Sequence, residues 1–487
     1  MTLARKAGSA LLWRVLSVSI EKVIFLIRIL ILARLVAPAE FGLVAIGMLS
    51  LAIINSVTDF GIVPALVQRP AGDKRYLDTA WTMSLLRGAV VNVAIFVLAP
   101  VIAAAFDQPD ATNIIRMLAL SSLLRSASSI EIATLTRELK FQRLVLIRLS
   151  AAVSNTIVSI LLAEALGAWA IVWGTVAGSG TYLAISYIVA PYKPEFQLQR
   201  RIAATLMKFG RWIFAIGVIA AVTDAAVRWV ITERLGVIEL GLYFMAVRLA
   251  YLPHQLITEL VSEIAFPLYA QVQSNAVKAA HAFRSVLIST LALLLPVSAI
   301  FLVLIPLLVD QVLGEKWAGA STIMQLLVVV GAVGTLGDTI MPLLKGMGQP
   351  KKLAALELFQ LLVLCPVAWV LVGQYGLDGA GMALIIAAVI TQLFAIRYAK
   401  GMIEQPFLEI RGSLVAICGA TLAGLVITLL IIERMSGMSA LIVAGVIGPV
   451  TVLLVAVVLD RTFELGFLRR VAEPYPALAR VFGKLLD

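Results

Sequence analysis

Long apolar stretches alternate along this chain with short segments rich in proline, glycine or charge. A membrane-spanning helix needs about 20 mostly apolar residues, and the apolar stretches have about that length. The pattern predicts about fourteen transmembrane helices and no soluble domain. The predicted spans are residues 10–36, 41–67, 79–105, 112–135, 143–163, 168–190, 205–234, 239–268, 283–309, 320–344, 353–372, 377–399, 413–432 and 438–459.

Positive charge marks one side of the predicted helices. Of the 39 Lys and Arg residues, those outside the spans lie almost entirely in the loops on one side of the membrane. The loops on the other side contain only Arg234, Lys316 and Arg434. Cytoplasmic loops of membrane proteins carry such an excess. We therefore predict an all-α polytopic membrane protein with both termini in the cytoplasm.

Composition agrees with this fold class and excludes several classes of protein. The chain is 61% apolar and 14% charged, with a mean hydropathy of +1.01, whereas soluble domains are about 25% charged. These values exclude a water-soluble enzyme and a disordered protein. The net charge of +11 would otherwise suggest a nucleic-acid partner, but the cytoplasmic loops account for it, and no nucleic-acid partner is expected.

Cysteine and histidine give no reason to expect a cofactor or a catalytic centre. Cys365 and Cys418 lie in apolar segments without the spacing of metal ligands, and the two histidines are His254 and His281. We expect no metal, no cofactor and no enzymatic activity.

Short motifs recur at an offset of about 200 residues. EFGL at 40–43 recurs as ELGL at 239–242, and PALVQ at 64–68 recurs as PLYAQ at 267–271. Because matched pieces share one membrane orientation, they predict two six-helix lobes related by a parallel pseudo-repeat, followed by two C-terminal helices. The predicted parts are an N-terminal lobe (1–190), a cytoplasmic interlobe loop (191–204), a C-terminal lobe (205–400), the last two helices (401–460) and a basic cytoplasmic tail (461–487).

Several cations lie inside the first eight predicted spans. On insertion scales a central Arg or Lys facing lipid costs about 2.5–3.5 kcal/mol, so most of these side chains are expected to face a polar interior. Arg28, Arg125 and Arg248 lie deepest and are the main candidates for binding an anion. The remaining candidates, which would form an electrostatic path, are Arg14, Lys22, Arg87, Arg148 and Arg228.

Residues near span ends have a simpler explanation. Arg14, like Arg34 and Arg116, can reach the lipid headgroups by snorkelling. Tryptophans near span ends, such as Trp81 and Trp317, are expected to anchor the protein at the membrane interface.

Carboxylates in or near the spans are candidates for binding a coupling proton or sodium ion. Asp224 is four residues before Arg228 on the predicted seventh helix, so a structural ion pair is the alternative for these two residues. The candidate acids are Asp59, Glu131, Asp224 and Asp338.

Several strings resemble one known family. EFGL at 40–43 leads to DFGIVPALVQR at 59–69, and RELKFQR at 137–143 is followed by RLAYLP at 248–253 and FPLY at 266–269. In this order they are similar to the polysaccharide transporter (Wzx-type) family of the multidrug/oligosaccharidyl-lipid/polysaccharide (MOP) flippase superfamily, over nearly the whole chain. The resemblance implies translocation of undecaprenyl-diphosphate-linked oligosaccharide to the periplasmic leaflet by alternating access.

The RLAYLP string also resembles the eighth helix of the related lipid II flippases, which implies that Arg248 handles the diphosphate. The second span has AIGM at 45–48, where the lipid II flippases have a mid-helix arginine. This difference favours a surface or secreted polysaccharide unit over lipid II.

We therefore expect a flippase of the bacterial inner membrane whose partners are a polyprenyl-diphosphate oligosaccharide and membrane lipids. A polysaccharide polymerase and chain-length machinery are candidate protein partners. The polysaccharide built from the transported units is expected to be O-antigen, capsule or exopolysaccharide. The alternatives are a lipid II flippase and a multidrug/toxin exporter of the same superfamily, although arginine-rich spans are poorly suited to cationic drugs.

Overall fold

The computed structural model is helical and strand-free in the part of the chain that it describes, residues 3–58, 66, 74–138, 140–259, 261, 269, 276–347, 349–401 and 410–463. Ten segments of that part are long and apolar enough to cross a membrane, which confirms the all-α, multi-pass membrane fold. The α-helices are α1 (Leu3–Leu35), α2 (Pro38–Thr58), α3 (Lys74–Ala105), α4 (Ala111–Ser126), α5 (Ile132–Arg137), α6 (Phe141–Leu166), α7 (Ala168–Val189), α8 (Arg200–Leu235), α9 (Val237–Ala250), α10 (252–259), α11 (Ala276–Leu308), α12 (Ser321–Gly346), α13 (Pro350–Lys400), α14 (Ile410–Arg434) and α15 (Gly437–Phe463).

The chain folds as two compact units, Met1–Phe244 and Met245–Asp487. In the first unit α6 and α7 form the most extensive helix pair, α1 packs on α6, and α4 packs on α3 and α7. In the second unit α14 pairs with α15 and α12 pairs with α13, while α11 packs on α12 and α14. Many of these pairs are consecutive in the chain, as short connections between helices favour. The lobe boundaries inferred from the sequence stay a prediction.

The recurring EFGL and ELGL motifs meet each other inside the first unit. A Cβ atom at Gly42 of α2 would lie 2.2 Å from the main-chain carbonyl oxygen of Val237, at the start of α9. The relation is reciprocal, because a Cβ atom at Gly241 would lie 1.8 Å from the carbonyl oxygen of Pro38. Only glycine permits such close approach of two helices. A reciprocal contact between matched positions is what a two-fold relation would produce, and the pseudo-repeat itself stays a prediction.

The predicted fourth span, residues 112–135, is wrong in its second half. The helix α4 ends at Ser126, and α5 is a separate helix of six residues. Serine groups after Ser126 bond outside the helix: Ser129 Oγ donates to the carbonyl oxygen of Ala190 at 2.7 Å, and Ser129 N–H donates to Ser186 Oγ at 3.0 Å. Such bonds compete with the helical main-chain ladder, and here they tie the end of α4 to the end of α7.

The predicted eighth span, residues 239–268, is also interrupted. The helix α9 ends at Ala250, Tyr251 forms a turn, and α10 follows. Pro253 lacks an N–H group to continue the ladder, so it falls in the first turn of a new helix. By contrast, the predicted separation of the spans at 353–372 and 377–399 is confirmed inside α13, where Gly376 has a non-helical φ of 61°.

Two tryptophans that were expected at the membrane interface are buried in the protein instead. Trp317 has no exposed surface, and Trp81 is 6% exposed. The indole nitrogen of Trp81 donates a hydrogen bond to the Tyr187 hydroxyl at 3.0 Å, and its ring meets that of Phe196 edge-on. The expectation of interfacial anchors is therefore wrong for both residues.

The connection between α7 and α8 is fixed to α3. The Tyr192 hydroxyl donates a hydrogen bond to Asp78 Oδ1, and the Glu195 N–H donates to the same oxygen at 3.2 Å. Lys74 forms an ion pair with Glu195. Burial and the hydrogen bond to Asp78 raise the pKa of Tyr192 well above its ordinary value of 10.0. Part of the predicted interlobe loop is thus held by specific side-chain contacts.

Candidate functional site

The first unit contains a cavity of about 470 Å³ lined by residues of α1, α4, α6 and α7. This volume lies in the range of about 300–1,000 Å³ that is typical of small-molecule sites. Lys22 and Arg28 line it from α1, Arg125 from α4 and Arg148 from α6. Half of the predicted anion-binding residues therefore line one cavity.

Aromatic rings support two of these guanidinium groups. Cζ of Arg28 lies 5.4 Å from the ring centroid of Phe25, and Cζ of Arg125 lies 4.8 Å from that of Tyr182. Such cation–π contacts orient a guanidinium without cancelling its charge. Arg125 also lies in the last turn of α4, where the partial negative charge of the helix end stabilises a cation.

A single carboxylate, Glu21, accompanies the four cations among the described lining residues. It is seven residues before Arg28 on α1, so the two side chains share one face of that helix. The described lining is therefore cationic in balance and also contains a hydrogen-bond acceptor.

Another wall of the cavity is polar and neutral. It is formed by Asn155 and Thr156 of α6 and by Gly178 and Tyr182 of α7. A Cβ atom at Gly178 would lie 2.9 Å from both the Ala151 carbonyl oxygen and Asn155 Cβ. The absence of a side chain at Gly178 therefore lets α7 approach α6 closely beside Asn155.

The other predicted cations have different surroundings. Arg87 on α3 does not line the cavity, and Arg248 belongs to the second unit. Arg228 pairs with Asp224 along α8, with Nη2 2.8 Å from Oδ2 and Nε 3.1 Å from Oδ1. The ion pair that the sequence analysis gave as the structural alternative for Asp224 and Arg228 is thus present. The Arg14 side chain lies outside the described residues.

The predicted ion-coupling acids also differ in their environments. Glu131 directly precedes α5, Asp224 has the partner given above, and Asp59 lies outside the described residues. In the second unit, Asp338 Oδ2 of α12 lies 2.8 Å from Nε2 of His254 in α10. Within the described ranges, no group of three His, Cys, Asp or Glu side chains is placed to hold a metal ion.

Sequence reasoning missed Asn155, Thr156 and the His254–Asp338 contact. Polar residues at 148, 155, 156 and 159 follow the helical period along α6, and this stripe is the signal that could have located the neutral wall. The His254–Asp338 contact joins residues far apart in the chain, so no local pattern predicts it.

Known proteins resemble this chain over most of its length. The polysaccharide biosynthesis protein family matches residues 31–322. The lipopolysaccharide biosynthesis protein WzxC of Escherichia coli K12 is 25% identical over 399 residues, which cover 81% of each chain. The succinoglycan biosynthesis transport protein ExoT of Rhizobium meliloti is 25% identical over 351 residues, which cover 72% of this chain and 70% of ExoT.

Solved structures share the fold. The lipid II flippase MurJ in an inward closed conformation superposes with a TM-score of 0.71 at 14% identity, covering 93% of this chain and 99% of MurJ. An inward-facing multidrug resistance MATE transporter of the MOP superfamily gives a TM-score of 0.66 at 14% identity, covering 78% of this chain and 95% of that transporter. The resemblance noted in the sequence is confirmed, and the chain belongs to the polysaccharide biosynthesis protein family, with the transporter fold of the MOP superfamily.

Proposed function

We propose that this protein is a flippase that carries undecaprenyl-diphosphate-linked oligosaccharide units from the cytoplasmic to the periplasmic leaflet of the bacterial inner membrane. The observation that carries the proposal is a cavity with four cations in its described lining, in a multi-pass member of this family. Relatives named for the biosynthesis of lipopolysaccharide, succinoglycan and teichuronic acid support a polysaccharide unit as cargo. The protein is a transporter and not an enzyme.

The cavity cations suit a diphosphate. Arg28, Arg125 and Arg148 each offer a planar set of donors that matches phosphate oxygens in pairs, and Lys22 adds a compact charge. Because the surrounding helices lower the local dielectric constant, these interactions are stronger than they would be in water. In this proposal, exposure of the cavity to each membrane face in turn moves the headgroup across.

The other predicted residues complete the proposal. Arg248 handles the diphosphate by resemblance to the lipid II flippases, and Arg14, Arg87 and Arg228 belong to the electrostatic path. Asp338 is the first of the proposed coupling groups, because its Oδ2 lies 2.8 Å from Nε2 of His254 in the second unit. The other proposed coupling acids are Asp59, Glu131 and Asp224. A polysaccharide polymerase and chain-length machinery are the proposed protein partners.

Transport of a fluorescent undecaprenyl-diphosphate oligosaccharide in proteoliposomes tests the proposal. Arg125→Gln should lower the rate at least about tenfold, the cost of one charge-assisted hydrogen bond. The matched control is Arg116→Gln, because Arg116 lies on the same helix with its Cζ 4.6 Å from the Phe96 ring, yet does not line the cavity. Its transport rate should stay within about twofold of the wild-type rate.

Two results would overturn the assignment. Equal losses in Arg125→Gln and Arg116→Gln would show that the effect is structural, and efflux of cationic drugs without lipid transport would favour the multidrug exporter.

In cells, Arg28→Glu and Arg248→Glu should abolish polymer export at unchanged protein abundance. Full export by both variants would remove these residues from the site.

A further inference from the structure

The cavity is lined by more polar side-chain groups than the binding of a diphosphate requires. Phosphate oxygens are acceptors and need cations or N–H donors, and the arginines and Lys22 supply these. The wall made by Asn155, Thr156 and Tyr182 adds an amide, an aliphatic hydroxyl and a phenol. Amide and hydroxyl groups both donate and accept hydrogen bonds, and this combination suits the hydroxyl groups of a sugar.

The amide of Asn155 is held in a fixed orientation. Ser159 Oγ, one turn further along α6, donates a hydrogen bond to Asn155 Oδ1 at 3.1 Å. This bond orients the amide, whose NH2 group then supplies the donors that can reach a ligand. Gly178 of the neighbouring helix packs close beside Asn155, since a Cβ atom at Gly178 would lie 2.9 Å from Asn155 Cβ. A preorganised donor of this kind selects a ligand oxygen at a defined position.

Thr156 supplies the complementary group. Its Oγ1 donates to the carbonyl oxygen of Ala152 at 2.8 Å, so the lone pairs of the hydroxyl oxygen can accept a hydrogen bond from a ligand hydroxyl. Across the same helix pair, Thr181 Oγ1 donates to Ser154 Oγ at 2.9 Å. This bond links α6 to α7, the two helices that form the neutral wall.

The neutral wall adjoins the cations within one cavity. Arg148 precedes Asn155 by seven residues on α6, which is about 10 Å along the helix axis. The ring of Tyr182 forms a cation–π contact with the Arg125 guanidinium. In a lipid-linked oligosaccharide the first sugar is bonded directly to the diphosphate. A site for that sugar must therefore adjoin the phosphate site, as this wall does.

We infer that Asn155 and Thr156 form a subsite for the first sugar of the cargo, beside the diphosphate held by Arg28, Arg125 and Arg148. The inference rests on the proposed function. It assigns recognition of the sugar to the neutral face shared by α6 and α7, and recognition of the lipid carrier's diphosphate to the cations.

Binding to the purified full chain in nanodiscs tests the subsite with two probes, undecaprenyl diphosphate and the same lipid carrying one hexose. The wild type should bind the glycosylated lipid about tenfold more tightly, the effect of about 1.4 kcal/mol of added hydrogen bonding. Asn155→Ala and Thr156→Val should each lower this preference to about threefold or less, with unchanged affinity for undecaprenyl diphosphate. Arg148→Gln should weaken the binding of both lipids.

Thr175→Val is the matched control for Thr156→Val. Thr175 Oγ1 also donates to the carbonyl oxygen four residues earlier, at 2.8 Å, but Thr175 does not line the cavity. Its binding preference should equal that of the wild type. Because Thr156→Val preserves side-chain shape, it tests the subsite even where Asn155→Ala does not fold.

The outcomes separate the two proposals. Equal weakening of both lipids by Thr156→Val, or a wild type that binds both lipids equally while still transporting the oligosaccharide, would overturn the sugar subsite and leave the flippase function standing. A wild type that binds neither lipid would overturn both proposals.

Discussion

At the residue scale, the contact between Tyr192 and Asp78 determines how firmly the segment between α7 and α8 is held on α3. Asp78 is 2% exposed, and it accepts hydrogen bonds from the Tyr192 hydroxyl and from the Glu195 main chain. Removing the hydroxyl leaves a buried carboxylate with one donor fewer. Hydrogen bonds to charged groups contribute about 1.5–3 kcal/mol, so this contact is a substantial part of the local stability.

The raised pKa of Tyr192 gives the contact a measurable pH dependence. The folded protein keeps the phenol proton at pH values where the unfolded chain, with a pKa of about 10, has lost it. The stability from Tyr192 is therefore complete below about pH 10 and declines as the pH rises above that value. Between about pH 8 and 11 in detergent, the thermal unfolding midpoint should fall more steeply for the wild type than for Tyr192→Phe.

Tyr375→Phe serves as the control for this measurement, because Tyr375 is 56% exposed. Its pH profile should parallel that of the wild type. Identical slopes for the wild type and Tyr192→Phe would contradict the assigned role of the Tyr192 hydroxyl.

The contact between His254 and Asp338 predicts non-additive substitutions. Both side chains are largely buried, with 17% and 24% of their surfaces exposed, and their nearest polar atoms are 2.8 Å apart. Residues in direct contact show interaction energies of about 0.5–3 kcal/mol in double-mutant cycles. The free energy of unfolding lost in the double variant, which carries both His254→Gln and Asp338→Asn, should therefore differ by that amount from the sum of the losses in the two single variants. Strict additivity would show that the contact contributes nothing.

At the element scale, the crossing of α2 and α9 depends on two glycines. Gly42→Ala or Gly241→Ala would place a methyl group within 2.2 Å or 1.8 Å of a main-chain oxygen. Because a helix backbone cannot yield as a side chain does, the expected loss is at least about 3 kcal/mol, the upper end of overpacking costs. Membrane abundance and the thermal unfolding midpoint should both fall.

Gly180→Ala in α7 is the control for the crossing. Among the described residues no packing neighbour lies within 4 Å of a Cβ atom at Gly180, so alanine should raise stability by about 0.5–1 kcal/mol through its helix propensity. Wild-type abundance in Gly42→Ala would mean that the helices cross with more room than the structure shows.

Local sequence rules were sufficient for elements whose ends depend on their own residues. The break at Gly376 and the long apolar helices α3 and α7 follow from composition and length alone. The rules failed where a distant partner decides. The helix α4 stops because Ser129 bonds to Ala190, and Trp81 is buried because Tyr187 accepts its indole N–H.

The candidate site divides in the same way. Arg28 and Arg125 were predictable because an arginine in an apolar span must find polar surroundings. Asn155 and Thr156 carry no charge, and a hydroxyl can bond to its own helix, as that of Thr156 does. The sequence therefore offers little energetic reason to single them out, and only the packing of α7 on α6 reveals the cavity wall.

At the scale of the whole molecule, the asymmetry of loop charge predicts the orientation in the membrane. The short helical segment Glu315–Ala320 contains Lys316 and should be periplasmic, whereas Gln349, next to Lys351 and Lys352, should be cytoplasmic. Glu315 and Gln349 are both exposed.

Thiol labelling tests this orientation in a variant whose Cys365 and Cys418 are replaced by alanine. A membrane-impermeant maleimide should label Glu315→Cys in intact spheroplasts and should label Gln349→Cys only after lysis. The reverse pattern would invert the assigned orientation and the proposed direction of transport.

The reciprocal glycine contact also limits how this chain can evolve. At Gly42 and Gly241 the nearest obstacle is a carbonyl oxygen, which every amino acid carries, so no substitution at Val237 or Pro38 removes it. A genetic screen for second-site suppressors of Gly42→Ala should therefore return true revertants and substitutions that shift a whole helix, and no exchange of the facing side chain. On this geometry an exchange of the facing residue cannot compensate for a side chain at either position, so we expect glycine to be required at both Gly42 and Gly241 unless a helix shifts.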